Sequence, residues 1–236
     1  MSVLVSVGIV VLAMLIMLSL QLVPGVFAIF CHYATGKYSK QKVSDLGIFF
    51  ILGAETIAAC LFLSCYYIAY VLFLGDARPE TGIFAWIAVG MLVVLAAASF
   101  FLYYRGGEGT RLFIPRKTMH SLNEQAKSVK TRSDAFVLGA LCGTYELAFT
   151  LPLYLVTAVE IMEMNTEYYS SHFLTVLYII TPTIPLLVVR WKFWRHHNLA
   201  DIARARVKDR AFNRLLLAFC YLTIAILIIC FRINLS

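Results

Sequence analysis

Six apolar runs, each close to the length of a bilayer crossing, constrain this chain more than anything else in it. A transmembrane helix needs roughly 20 apolar residues at 1.5 Å rise per residue. Runs of that kind are read over Val3–Cys31, Val43–Leu74, Ile83–Tyr104, Ala135–Val159, His172–Arg190 and Phe212–Phe231. With 61% hydrophobic and 14% charged residues and a mean hydropathy of +0.82, the composition is far from that of a soluble domain. The expected fold class is therefore all-α: a polytopic integral membrane protein with six transmembrane helices, multi-pass in the cell (inner) membrane. No soluble domain fits between the runs. The first run has no Lys or Arg ahead of it and is about twice the 7–15 residues of a signal-peptide core, so it is read as a membrane helix.

Basic residues assign the sides. Loops one, three and five carry 17 of the 20 Lys and Arg, among them Lys37, Lys40, Lys42, Lys127, Lys130, Arg132, Arg190 and Arg195. By the positive-inside rule these loops are cytoplasmic and both termini lie outside. The fourth loop, with Glu160, Glu163 and Glu167, is read as acidic and external. The net charge of +7 then reflects loop asymmetry rather than a nucleic-acid surface. Lys127, Lys130 and Arg132 are placed to meet anionic headgroups, and Trp191 and Trp194 read as interfacial anchors. Ser121 with Glu124, and Asn198 with Asp201, have the spacing of helix N-caps with an acidic third residue.

Six spans divide into residues 1–104, a cytoplasmic linker over 105–134, and residues 135–236. An odd number of spans per half inverts the second half relative to the first, as in many transporters. The first span carries Pro24-Gly25 and the fourth carries Pro152 at a similar fraction of its length. Both prolines remove a backbone hydrogen bond and interrupt or kink a helix, and matched interruptions point to a midplane binding site. An ordinary proline kink is the alternative at either position. Pro182 and Pro185 suggest a further break in the fifth span with no counterpart in the second.

Two carboxyl groups lie inside these runs. Glu55 comes twelve residues after Val43 and Glu146 twelve after Asp134, roughly 18 Å along each axis, which predicts similar depths near the bilayer centre. A charge there costs at least ~2.5–3.5 kcal/mol, so such residues face the bundle interior and bind, relay or couple something. They can clamp a cation, share a proton, or bond to hydroxyls; Thr56, Thr144, Tyr145, Thr150 and Tyr154 are nearby. No Lys or Arg occupies a span centre.

The segment Gly139-Ala-Leu-Cys-Gly-Thr-Tyr-Glu-Leu-Ala-Phe-Thr-Leu-Pro-Leu-Tyr-Leu155 resembles the fourth helix of the CcdA/DsbD-like membrane proteins of the LysE transporter superfamily, and Leu22-Val23-Pro24-Gly25 is similar to the matching position in their first repeat. The resemblance implies a transporter-like scaffold whose relatives export amino acids or metal ions. Thiol-conducting members carry a cysteine beside each of those prolines; here Gly25 and Phe149 stand in those places, so that redox pair is missing. Cys31 and Cys142 remain in spans one and four, with Cys142 about 12 Å inside by helical rise. Direct pairing requires Cα atoms within roughly 7 Å.

The remaining motifs are weaker. His196 and His197 beside Trp194 and Arg195 read as an interfacial basic cluster, with a metal site including Asp201 as the alternative. His32 and His120 are isolated polar-loop residues. Gly106, Gly107 and Gly109 form a turn without phosphate-loop spacing. Asn234-Leu235-Ser236 fits the glycosylation pattern at the end of the chain. No nucleophile–base arrangement or HExxH argues for a hydrolase, and no cofactor or resident metal is implied. The expected function is secondary transport of a small solute or cation through a midplane site formed by Glu55, Glu146, Pro24, Gly25, Thr150, Pro152 and Tyr154. The alternatives are a non-transporting membrane subunit or scaffold of a larger complex, or membrane thiol redox transfer; the partners expected are the lipid bilayer, the small solute or cation, and a homo-oligomer or membrane complex.

Overall fold

The computed structural model describes residues 3–20, 22–74, 81–103, 116–164, 168–195 and 210–233. Every described element is helical: α1 (Val3–Ser19), α2 (Leu22–Thr35), α3 (Lys40–Leu74), α4 (Thr81–Ala98), α5 (Arg116–Ser128), α6 (Arg132–Tyr145), α7 (Leu147–Glu163), α8 (Tyr168–Ile180), α9 (Thr183–Arg195) and α10 (Arg210–Ile228). A π turn extends α4 over Ser99–Tyr103 and another extends α10 over Ile229–Ile233.

By length and composition, Val3–Thr35 and Lys40–Val71 are each able to cross a membrane unaided. Two bent pairs qualify when each is taken as one span: α6 with α7, bent by 78°, and α8 with α9, bent by 42°. Ala85–Phe101 and Leu215–Phe231 are shorter apolar helices. The described helices thus supply two to four candidate spans, fewer than six, because two apolar runs are divided by sharp bends and two fall short of roughly 20 residues. Large apolar side chains point outward on many helices, including Leu63, Trp86, Val94, Phe173 and Phe219. An outer surface of that kind is compatible with a lipid environment.

The interior separates into two apolar clusters. One gathers α2, the first half of α3, α5, α6 and α9, around Phe27, Phe30, Phe50 and Leu138. The other gathers α1, the later part of α3, α4, α7, α8 and α10, around Phe62, Leu92, Tyr178 and Tyr221.

The tightest joint is between α3 and α6. A Cβ on Gly53 would lie 2.0 Å from the Phe136 carbonyl oxygen, and one on Gly139 would lie 2.0 Å from that of Phe50. Only glycine permits this approach, the small-residue contact by which membrane helices bring their backbones together. Phe50 and Gly53 meet Gly139 and Phe136, Ile57 meets Gly143, and Asp45 pairs with Arg132, so the two helices run parallel from the same end.

The basic segments collect at that end. Lys37 Nζ donates to the Lys127 carbonyl at 2.8 Å, and the Arg190 and Trp194 side chains both donate to Ser44 Oγ, at 3.0 and 3.2 Å. α6 starts from a capping box: Thr131 Oγ1 accepts from the Asp134 amide, and Asp134 accepts from the Thr131 amide at 2.9 Å.

The first apolar run does break close to Pro24-Gly25: its helices end at Ser19 and resume at Leu22, and Pro24, in the first turn of α2, stands four residues after Leu20, whose carbonyl position a proline at 24 disrupts. Several sequence expectations need correction. Pro152 lies inside α7, and the fourth run breaks at Glu146 instead. Ser121 is interior to α5, not its cap. Glu160 belongs to α7 and is buried, so it is not part of an external loop. His32 and His120 are helical rather than loop residues. His196, His197, Asn198, Asp201, Gly106, Gly107, Gly109 and Asn234 lie outside the described residues.

Candidate functional site at the helix breaks

Three helical pairs break near one another: α1 gives way to α2 after Leu20, α6 to α7 at Glu146, and α8 to α9 at Thr181-Pro182. Each break leaves backbone groups without intrahelical partners. Some are satisfied locally: Thr181 Oγ1 donates to the Leu177 carbonyl at 2.8 Å, and Thr150 Oγ1 to the Glu146 carbonyl at 3.3 Å. The opening amides of α2 find a partner on another helix. Glu146 Oε1 accepts from the Leu22 amide at 2.9 Å and from the Val23 amide at 3.1 Å. A carboxyl group on the positive end of a half-helix is favoured by both the hydrogen bonds and the helix dipole.

Beside this contact is a cavity of about 40 Å³, lined by Pro24, Glu55, Glu146, Thr150, Tyr154 and Pro182 among others. That volume holds on the order of three water molecules. Its other walls are small or apolar, such as Ala54, Ala58, Gly143 and Leu186. Met17 and Leu20 come from one apolar cluster and Val23 and Leu186 from the other, so the cavity lies where the two clusters meet.

The structure therefore brings together five of the seven residues expected at the site: Glu55, Glu146, Pro24, Thr150 and Tyr154. Gly25 and Pro152 are not on the cavity wall. Of the hydroxyls near the two carboxyl groups, Thr56 and Thr144 are exposed and donate to carbonyls of their own helices, and Tyr145 is exposed. Thr183, at the start of α9, is the hydroxyl residue nearest in interaction to Glu55, while its own hydroxyl donates to the Ile180 carbonyl.

The two acids also differ in depth. Glu55 lies ten residues beyond Asp45, whereas Glu146 lies fourteen beyond Arg132, the residue paired with Asp45. Glu146 is thus about one turn, ~6 Å, further from the shared end. The expectation of similar positions along the two helices holds to about one turn, because the crossing fixes the register of α3 on α6, which counting from the ends of apolar runs does not see.

Cys31 and Cys142 are both buried, unbonded, and in the same apolar cluster. Among the described residues no three His, Cys, Asp or Glu side chains are grouped to hold a metal ion. No family model, curated protein or solved structure matches the chain.

Two features had a readable signal that the sequence expectations did not use. Gly139 and Gly143 form a GxxxG pair within the apolar run, the spacing of a close helix contact. Thr157 and Glu160 continue from Glu146, Thr150 and Tyr154 at helical spacing.

Proposed function

We propose that the chain is a secondary transporter-like membrane protein that moves a small solute or cation through the cavity at the helix breaks, with Glu55 and Glu146 as its coupling or binding carboxylates. The observation that carries this reading is the cavity itself, where acidic side chains from two different helices meet at three helix breaks. Broken helices around a polar site are the common architecture of transport sites, because freed backbone groups and half-helix ends are available to a ligand.

In this reading the chain crosses the inner membrane six times as two inverted three-helix halves, 1–104 and 135–236, joined by a cytoplasmic linker, with both termini outside. The gathering of Lys37, Lys127, Arg132 and Arg190 at one end of the bundle supports placing that end in the cytoplasm. The parallel course of α3 and α6 fits the second and fourth spans of such a plan. The sequence resemblance to the LysE superfamily, whose members export amino acids or metal ions, makes those the first solutes to try.

The test begins with thermal denaturation of purified protein against amino acids and mono- and divalent cations, since a ligand that prefers the folded state raises the melting temperature. Uptake of the stabilising species into proteoliposomes should then fall at least tenfold in Glu55→Gln and in Glu146→Gln. Wild-type flux in both variants would remove the carboxyl groups from the mechanism.

A second reading has its own observation. Glu146 caps α2, a contact that a purely structural membrane subunit also needs. A scaffold would transport nothing, would tolerate both Gln substitutions, and would co-purify with a partner or with further copies of itself.

A further inference from the structure

At the basic end, the first turns of α3, the start of α6 and the end of α9 border an open groove of about 520 Å³, lined by Ser39, Lys42, Ser44, Asp45, Arg132 and Trp194 among others. That volume falls within the ~300–1,000 Å³ of small-molecule sites. The groove shares no wall residue with the cavity at the helix breaks. Asp45 and Glu55, ten residues apart on α3, separate the two by roughly 15 Å along the helix.

The charge of the groove is positive. Arg132 and Asp45 neutralise each other, with two guanidinium nitrogens of Arg132 each 2.8 Å from one Asp45 oxygen. Two cations are left over. Lys42 Nζ stands 4.1 Å from the centre of the Tyr38 ring, and Arg190, just outside the lining, donates to Ser44 Oγ at 3.0 Å. Neither pairs with a carboxylate among the described residues. Arg190 Nε is buried without a hydrogen-bond partner, and an uncompensated guanidinium in such a place is costly unless an anion stands nearby. Trp194 also donates to Ser44 Oγ, at 3.2 Å, so Ser44 accepts twice and has its own proton left to give. Gln41 and Lys42, in the first turn of α3, bring the positive end of that helix to the wall.

Away from the basic end, α3 and α9, which pack against each other, turn apolar on the faces that carry the groove. Ile48 and Leu52 follow Ser44 at intervals of four on α3, and both are exposed. On α9, Trp191, Leu187 and Ile184 precede Trp194 at intervals of three, four and three, and all are exposed. Each stripe runs ~12–15 Å, the depth of one leaflet of a ~30 Å hydrocarbon core. A cationic groove that opens onto one leaflet of apolar surface matches a phospholipid, with phosphate at the end and acyl chains along the helices. A free phosphate ion would make no use of the stripes. Basic pockets between membrane helices close to one face are a recurrent headgroup site.

We propose that the groove binds the headgroup of one anionic phospholipid, with Lys42 and Ser44 at the phosphate, Arg190 behind them as compensating charge, and Ile48, Leu52 and the exposed face of α9 against the acyl chains. Phosphatidylglycerol has the required chemistry. Phosphatidylcholine carries its own cation and gains less from the two unpaired charges. The inference needs the chain to lie in a bilayer but does not need it to transport anything, so wild-type flux in Glu55→Gln and Glu146→Gln would leave it intact.

The experiment is native mass spectrometry of the full-length protein in detergent, given equal amounts of phosphatidylglycerol and phosphatidylcholine. One phosphatidylglycerol per chain should persist at collision energies that strip phosphatidylcholine. Its occupancy should fall at least fivefold in Lys42→Ala and in Arg190→Gln, and stay at the wild-type level in Lys130→Ala, an exposed basic residue of the same end that is not on the groove wall. Equal retention of the two lipids, or wild-type occupancy in both groove variants, overturns the site. An equal loss in Lys130→Ala also overturns it, in favour of diffuse attraction to the basic surface. Excess inorganic phosphate should not displace the lipid; full displacement would give the groove to a free anion and overturn the lipid assignment. Should Arg190→Gln fail to fold, Lys42→Ala, at an exposed side chain, still decides.

Discussion

α3 and the α6–α7 pair start at the same end, run side by side and each bring one acid to the same cavity, yet they do so in opposite ways. α3 continues for 35 residues and presents Glu55 from its interior. α6 stops at Tyr145 and the chain turns by 78°, with Glu146 itself at the bend. An acid within a continuous helix has its own backbone satisfied and only its side chain to offer. An acid at a break ends one helix, begins the next, and here also caps a third, α2. The comparison separates a group free to exchange partners from one that holds the fold together while it acts.

The largest effect should come from the joint that sets the two helices in register. Gly53→Ala or Gly139→Ala places a methyl group 2.0 Å from a backbone oxygen that cannot rotate away, and the expected loss is about 3 kcal/mol. Gly143→Ala is the control, since its methyl would meet the Ala54 oxygen at an ordinary 3.4 Å and should be near neutral. Thermal or denaturant unfolding in detergent reads the difference. Equal stability across the three variants would mean that the parallel crossing is not a fixed joint.

The two acids should then part company. Glu146→Ala removes the acceptor from two amides of α2 and should cost about 1–2 kcal/mol, as loss of a helix cap does. Glu146→Gln keeps an oxygen in place and should retain most of that stability. Glu55→Ala, which leaves no backbone group unpaired, should stay within about 0.5 kcal/mol of wild type. Both Gln variants nevertheless lose flux if each acid couples transport. A stability loss in Glu55→Ala matching that in Glu146→Ala would dissolve the distinction.

This contrast also marks what was legible in the residues. That Glu55 and Glu146 belong to one site could be read from their place in apolar runs, because a carboxyl group in hydrocarbon must face inward. Thr150 and Tyr154 were two of five hydroxyls near the acids in sequence, and only packing separates them from the exposed Thr56, Thr144 and Tyr145. The breaks were legible in part: those expected near Pro24 and at Pro182 fall at Leu20 and at Thr181-Pro182, but Pro152 sits inside α7 and the fourth run bends at Glu146, whose side chain contacts α2 more than a hundred residues away. The offset of about one turn between the two acids was not legible, since register depends on which backbones touch at Gly53 and Gly139. Glu160 was assigned to a loop because its charge fits one, and only the neighbours packed around α7 reveal that it is inside.

If the bend belongs to Glu146, then Pro152 is a passenger. Pro152→Ala should give α7 one more hydrogen bond and raise stability by about 1 kcal/mol. Distances between spin labels at exposed Val137 on α6 and exposed Leu151 on α7 should not change. Lengthening of that distance, as the pair straightened, would return the break to the proline and weaken the contrast with α3.

The smallest effect lies at the basic end, outside the apolar runs. Lys127 Nζ donates to Glu124 at 2.9 Å on the surface of α5, and this bond and the lysine charge hold the Glu124 carboxyl below its ordinary range. A carboxyl depressed in the folded state stabilises above its unfolded value of 4.5 and loses that contribution as pH falls through the lower folded value. The pair is solvent-exposed, so salt screens it and Glu124→Gln should leave unfolding at pH 7 almost unchanged. NMR titration of the Glu124 carboxyl should give a midpoint below 4.5 that rises with salt and rises further in Lys127→Ala. Glu124→Gln should leave flux untouched, because nothing in this pair reaches α3 or α7. A flux lost in Glu124→Gln would tie the basic end to the cavity and require a coupling that the α3–α6 joint does not by itself supply.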